Sequence, residues 1–166
     1  MKIEGRVWKF GDNINTDLIL PGRAMYFSAE DQAKCVFEAN RPGWLDEIAP
    51  GDIVIGGENF GTGSSRPAAR SLKTIGIAGM AANSINGLFF RNCVNWGFPA
   101  LECAGVFEAF DEGDIARIDL AAGTVVNLTG RAVLTGRPVP EVLLKTMAAG
   151  GVFPLLQSEG LIAPAP

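Results

Sequence analysis

The 166-residue sequence contains no histidine, and this absence excludes several common kinds of catalytic centre. A Ser-His-Asp triad, a Cys-His pair and a histidine-ligated metal site all need an imidazole. Cysteine is also sparse, since Cys35, Cys93 and Cys103 form no C-x-x-C pair. A zinc ribbon or a thioredoxin-type redox site is therefore not expected, and the wide spacing of the thiols gives no support for an iron–sulfur cluster on this chain. Three scattered thiols favour buried cysteines in a reducing compartment.

An excess of basic residues and long hydrophobic runs are also absent. With 14 Lys and Arg against 18 Asp and Glu, the formal net charge is −4. We expect no nucleic-acid binding, because nucleic-acid binders usually carry a basic field. No segment approaches the roughly 18 consecutive apolar residues of a membrane span, and the charged N-terminus lacks the apolar region of a signal peptide. The sequence therefore predicts a cytoplasmic protein without a membrane partner.

The hydrophobic pattern predicts one mixed α/β domain over residues 1–166. The composition, 48% hydrophobic and 19% charged, is too apolar for a disordered chain. Strands are predicted, from apolar or alternating runs bounded by turn residues, over 2–10, 53–55, 77–82, 98–101, 115–120 and 125–128. Helices are predicted over 28–39, 68–75, 85–92 and 140–150. The C-terminal residues 161–166 are expected to fray.

A segment rich in glycine and serine, residues 61–66 (GTGSSR), separates a predicted buried strand from a predicted helix. Glycine allows a sharp turn and a close approach to a ligand, and the free N–H groups at a helix start favour an anion. Arg66 adds a guanidinium that can hold a carboxylate or phosphate through two hydrogen bonds. The segment predicts an oxyanion site, best suited to a carboxylate. A tight connection with a serine helix cap is the structural alternative.

Several stretches, in order along the chain, resemble one known family. They are residues 5–17 (GRVWKFGDNINTD), 21–23 (PGR), 57–66 (GENFGTGSSR) and 90–92 (FRN). Together they are similar to the small subunits of the isopropylmalate dehydratases, which belong to the aconitase superfamily. The resemblance implies a single swivelling β/β/α domain, like the C-terminal domain of aconitase, in which helices flank a mixed sheet.

The resemblance also implies a reaction and a division of labour. The reaction is the dehydration and rehydration that converts 2-isopropylmalate, a hydroxy-dicarboxylate, to 3-isopropylmalate in leucine biosynthesis. A large subunit would carry a [4Fe–4S] cluster, with no cofactor or metal ligand on this chain. Ser64 would be the alkoxide base, stabilised by Arg66 and helix-start N–H groups. The residues implied to contact the substrate are Gly63, Ser65, Arg66 and Arg23; a surface role for Arg23 is the alternative.

The segment after Pro-Gly-Arg departs from the family. Many relatives continue with Tyr-Leu-Arg-Thr, and the family is thought to use this loop to select the third substituent of the substrate. An arginine there would favour a carboxylate. This chain instead has Ala24, Met25, Tyr26 and Phe27, which favour an apolar substituent. Packing of these side chains is the alternative.

Three further departures are Thr62, Pro67 and Gly87. At these positions relatives commonly have Cys or Glu, Glu, and Arg, respectively. The departures leave open a related alkylmalate dehydratase, such as one acting on 2,3-dimethylmalate. A non-catalytic module that binds a carboxylate metabolite is the other hypothesis. Asp12 and Asp17 could form a carboxylate pair, although Asp is also common in turns.

Overall fold

A seven-stranded sheet organises the chain in the computed structural model, which describes residues 1–163. The strands are β1 (Lys2–Phe10), β2 (Ile53–Gly56), β3 (Gly79–Ala82), β4 (Ala100–Glu102), β5 (Ile115–Asp119), β6 (Thr124–Asn127) and β7 (Val133–Thr135). Their order across the sheet is β4-β3-β2-β1-β5-β6-β7. Strands β1 to β4 pair in parallel, whereas β5, β6 and β7 extend the sheet from β1 in antiparallel fashion.

Helices cover the sheet and connect its parallel strands. They are α1 (Thr16–Ile19), α2 (Ala29–Ala33), α3 (Trp44–Glu47), α4 (Ala68–Thr74), α5 (Gly87–Trp96), α6 (Glu141–Ala148) and α7 (Val152–Ser158), with a 3-10 helix at Gly22–Tyr26. Helix α4 connects β2 to β3, and α5 connects β3 to β4. Every residue of β2 and β3 is buried, as expected for parallel strands covered on both faces. Within residues 1–163, no helix combines the length and hydropathy that crossing a bilayer requires.

The long excursion between β1 and β2 is attached to the sheet by a cluster of aromatic side chains. Phe10 stacks on Phe37 with ring centroids 3.9 Å apart. Trp44 packs edge-on against both rings and against Trp8. Because these rings come from β1 and from residues 37–44, their burial fixes the path of the excursion against the sheet.

The buried carboxylate of Asp52 closes the same excursion. Its oxygens accept hydrogen bonds from the Arg6 guanidinium at 2.7 Å, the Trp8 indole at 2.6 Å and the Ala49 N–H at 2.9 Å. Burial alone would raise the pKa of Asp52, but these donors outweigh it and hold the pKa below its ordinary value of 3.8. The ionised carboxylate therefore stabilises the fold.

The helix predicted over residues 28–39 is too long. Ser28 does cap a helix, since its Oγ accepts the Asp31 N–H, but the helix ends at Ala33. The chain then turns, with a left-handed backbone at Phe37 whose N–H donates to the Ile19 carbonyl. This turn buries Phe37 in the aromatic cluster, so tertiary packing overrides the local helical pattern.

The other differences concern short elements and element ends. The strand predicted over 77–82 begins at Gly79, and the strand predicted over 98–101 is β4. The sequence pattern missed α1, α3, β7 and α7, each of which has seven residues or fewer. Within the segment predicted to fray, residues 164–166 lie outside the described part of the chain.

Replacing Asp52 by asparagine should lower the free energy of unfolding by about 2 kcal/mol at neutral pH, because the buried donors lose a charged acceptor. The folded-state pKa is depressed, so this stabilisation is present above pH 3.8 and is lost as the pH falls through the folded-state pKa. Urea titrations of wild type and Asp52→Asn across this range measure both effects. Asp46→Asn, an exposed position on α3, is the matched control, and equal stabilities of the two variants would contradict the assignment.

Candidate active site

The glycine- and serine-rich segment forms a loop between the carboxyl end of β2 and the start of α4. Ligand sites of open α/β sheets commonly lie at this edge. Backbone hydrogen bonds fix the loop on two sides. The Gly61 N–H donates to the Ile14 carbonyl at 2.7 Å, and the Phe60 carbonyl accepts the Asn86 N–H at 2.8 Å. The loop is therefore held between the segment that precedes α1 and the segment that precedes α5.

This arrangement requires glycine at two positions of the loop, 61 and 63. Gly61 has a φ of +79°, and a Cβ atom there would lie 2.2 Å from Cγ of the buried Phe89. Gly63 has a φ of +111°, and a Cβ would lie 2.8 Å from the Thr16 Oγ1. Both positions combine a left-handed backbone with close neighbours, which only glycine tolerates without strain.

The short helix α1 holds the loop in place through hydrogen bonds. Asn15 caps this helix by accepting the Leu18 N–H on its side chain. The Thr16 N–H then donates to the Thr62 carbonyl at 2.8 Å, and the Thr16 Oγ1 accepts the Ser64 N–H at 3.1 Å. Because Thr16 is only 1% exposed, these two contacts place Ser64 on a rigid support.

Arg66 is held by three partners. Its Nη1 donates to the Leu20 carbonyl at 2.9 Å, its Nη2 pairs with the Asp17 carboxylate at 2.6 Å, and its Nε donates to the Ser64 Oγ at 3.0 Å. A guanidinium has five N–H groups, so one N–H on each terminal nitrogen has no partner among these three. These contacts orient Arg66 before any ligand binds and leave its side chain 16% exposed.

The loop is open to solvent at its reactive end. Gly63, Ser64 and Ser65 are exposed, and the Asp17 carboxylate beside Arg66 is 62% exposed. Helix α4 begins only at Ala68 and has seven residues, so the helix-start N–H groups expected beside Ser64 lie further along the chain. The cation that contacts the Ser64 hydroxyl is therefore Arg66, which donates a hydrogen bond to it.

The other predicted site residues occupy different surroundings. Ser65 accepts a hydrogen bond from the Asn92 side chain of α5 at 3.3 Å, which connects the loop to a second element. Arg23 forms an exposed ion pair with Glu38. A role for Arg23 in substrate binding therefore requires Arg23 to leave or share this partner.

The loop predicted to select the substrate follows a residue that adjoins Arg66. A Cβ at Gly22, the first residue of the 3-10 helix, would lie 3.5 Å from the Arg66 Nη1. Ala24 is buried in the core, whereas Met25, Tyr26 and Phe27 are 44%, 92% and 40% exposed. The three larger side chains therefore present an apolar surface to solvent shortly after Gly22.

Sequence reasoning missed the supporting residues of the site. No sequence pattern points to Thr16. For Asp17 the sequence suggests only a turn residue or a carboxylate partner of Asp12. In the structure Asp12 accepts the Glu58 N–H at 2.7 Å, while Asp17 pairs with Arg66. The signal was present in part, because both residues belong to the stretch 5–17 that carries the family resemblance.

The cysteines of this chain do not suit an iron–sulfur cluster. All three are buried free thiols, and burial raises the pKa of the Cys93 thiol, which disfavours the thiolate that binds iron. Within residues 1–163, no three His, Cys, Asp or Glu side chains come together as metal ligands.

Comparisons with known proteins point to one family. A family model described as the aconitase C-terminal domain matches residues 15–105. The isopropylmalate/citramalate isomerase small subunit of Methanocaldococcus jannaschii is 43% identical over 159 residues, 95% of each chain. The 3-isopropylmalate dehydratase small subunit of Thermodesulfovibrio yellowstonii is 41% identical over 154 residues, 92% of each chain. A crystal structure of a 3-isopropylmalate dehydratase from M. jannaschii matches with a TM-score of 0.89 and 30% identity, covering 97% of this chain and 96% of that chain.

The chain belongs to the aconitase C-terminal-domain family, and within it to the 3-isopropylmalate dehydratase small subunits, which are subunits of a hydro-lyase. The resemblance inferred from the sequence motifs is thereby confirmed. So is the α/β fold class, since helices flank a mixed sheet in this chain and the crystal structure matches it over nearly its whole length.

Replacing Thr16 by valine should disturb the site more than the fold. The variant keeps the shape of the side chain but removes the oxygen that accepts the Ser64 N–H. We expect the kcat of the assembled enzyme to fall about tenfold or more, with a loss of about 1 kcal/mol in the free energy of unfolding. Steady-state kinetics and urea titration measure the two effects. Thr16→Ser, which retains the oxygen, should stay close to wild type; equal activity of both variants would contradict this support role.

Proposed function

We propose that this chain, as one swivelling domain over residues 1–166, supplies the base and the substrate-carboxylate contacts of an isomerase that converts 2-isopropylmalate to 3-isopropylmalate. The observation that carries the proposal is the Arg66 Nε to Ser64 Oγ hydrogen bond of 3.0 Å on a solvent-open loop. The names of the relatives support the same reaction. We place it in the cytoplasm, as expected for a metabolic enzyme.

Ser64 takes the proton from the carbon next to a substrate carboxylate. A serine hydroxyl is a weak base, so its alkoxide needs a preorganised positive partner. Arg66 supplies that partner through Nε, and its two remaining N–H groups bind the substrate carboxylate. The bound carboxylate makes the neighbouring carbon more acidic because the cation stabilises the negative charge that develops there.

Neighbouring groups complete the contacts to the substrate. Ser65, whose hydroxyl is oriented by Asn92, donates to a second substrate oxygen. The exposed Gly63 lets the backbone approach the ligand closely, and Arg23 binds the other carboxylate after leaving Glu38. Met25, Tyr26 and Phe27 contact the alkyl substituent.

The rest of the reaction centre belongs to a partner large subunit. The buried thiols of this chain do not suit a cluster, so we assign the [4Fe–4S] cluster to that partner. The isolated small subunit is accordingly inactive, and the hydroxy-dicarboxylate binds between the two chains. A smaller alkylmalate is the second candidate substrate, since one relative is an isopropylmalate/citramalate isomerase small subunit.

The Ser64→Ala variant tests the base. Once assembled with the large subunit, it should dehydrate 2-isopropylmalate at least about a thousandfold more slowly than wild type, because the proton acceptor is gone. Absorbance of the unsaturated diacid follows the rate. Ser158→Ala, at the end of α7, is the control, and size-exclusion chromatography verifies assembly of both variants. A Ser64→Ala rate within a few-fold of wild type would refute the assignment. Binding of the substrate by the isolated chain, independent of Ser64, would favour the non-catalytic module.

The Tyr26→Arg variant tests the substrate-selecting loop. A guanidinium at this exposed position should favour a substrate whose third substituent is a carboxylate over one with an isopropyl group. We expect the ratio of kcat/KM for the tricarboxylate to kcat/KM for 2-isopropylmalate to rise about tenfold or more. The control Tyr26→Leu keeps an apolar surface and should leave the ratio unchanged. An unchanged ratio in Tyr26→Arg would assign these side chains to packing alone.

A further inference from the structure

A cavity outside the candidate active site lies at the start of α5, between the end of β4 and the segment that enters α6. It encloses about 320 Å³, within the range of small-molecule sites. Its walls are mostly apolar, and the side chains that form them include Ile85, Phe90, Val139 and Leu143. Nothing in the reaction proposed above uses this space.

Two opposite charges line the same cavity. One oxygen of Glu102 accepts the Ile85 N–H at 2.9 Å, which leaves the other oxygen available. Arg137 is adjacent, since its backbone N–H donates to the Glu102 carbonyl at 3.0 Å. Within residues 1–163, the Arg137 guanidinium makes no hydrogen bond or ion pair, with Glu102 or with any other side chain. The cavity thus offers an anion and a cation that do not neutralise each other.

We propose that this cavity binds a small aliphatic α-amino acid. The α-carboxylate pairs with Arg137 at the positive end of the ten-residue helix α5, and the α-ammonium pairs with Glu102. The hydrocarbon side chain packs on the apolar wall. A hydroxy-dicarboxylate matches the cavity poorly, because one of its carboxylates would face Glu102. The opposite charges therefore select a zwitterion over the substrates of the proposed reaction.

Gly87 keeps the cavity open. It is the first residue of α5 and lines the cavity, and a Cβ built there meets no atom within 4 Å. A long cationic side chain at this position would fill the space and compete for Glu102. The binding site therefore needs a small residue at position 87.

Calorimetric titration of the full-length chain with leucine tests the proposal without the partner subunit and without activity, so its outcome is independent of Ser64. We expect binding of leucine at concentrations up to about 10 mM. At the same concentrations we expect no binding of 4-methylpentanoate, which lacks the ammonium, or 3-methylbutylamine, which lacks the carboxylate. Failure of leucine, valine and isoleucine to bind would overturn the proposal, as would equal binding of the two truncated compounds.

Three variants tie the binding to this cavity. Gly87→Arg, Glu102→Gln and Arg137→Gln should each raise the dissociation constant of leucine about tenfold or more, since each removes space or one charged partner. Glu30→Gln, an exposed change on α2, is the control. Circular dichroism checks that all variants fold. Unchanged affinity in Gly87→Arg would place the amino acid elsewhere on the chain and refute the site.

Discussion

The site depends on the contact between helix α1 and the loop that carries Ser64. Four polar contacts join the two segments: two through Thr16, and one each from Arg66 to Asp17 and to the Leu20 carbonyl. The loop is exposed at its tip and contains two glycines with left-handed backbone, so it has little stability of its own. The position of Ser64 in this loop therefore depends on a four-residue helix, which must itself be held in place.

The hydrophobic core holds helix α1 in place. Helix α1 belongs to the excursion between β1 and β2, and Ile19 and Leu20 at its end are fully buried. The aromatic cluster around Trp44 and the Asp52 carboxylate attach the same excursion to β1 at other points. A short helix of this length is unstable alone. Packing on the sheet holds α1 in place, and Thr16 in turn holds Ser64 through its hydrogen bond to the Ser64 N–H.

Sequence reasoning predicted the architecture better than the support of the site. The parallel strands were predictable because burial on both faces leaves continuous apolar runs such as Ile53–Gly56. The closeness of Ser64 and Arg66 was predictable from the GTGSSR motif, which contains both residues. Asp17 and Thr16 were not, because their partners lie about 50 residues away and no local pattern reports such a pairing. The prediction of a helix over 28–39 was wrong for a similar reason, since Phe37 is buried against Phe10 and Trp44, which lie outside that segment.

The proposed reaction requires Ser64 and Arg66 to act as one unit in proton transfer. A double-mutant cycle with Ser64→Ala and Arg66→Lys tests this requirement in the assembled enzyme, with NMR following deuterium incorporation from D₂O into 3-isopropylmalate. We expect non-additive effects: Arg66→Lys should slow exchange less in the Ser64→Ala background than in wild type, because the contribution of Arg66 through the alkoxide is already lost there and only its contact with the substrate carboxylate remains to be removed. If Arg66→Lys slows exchange by the same factor in both backgrounds, the two residues do not act as a unit.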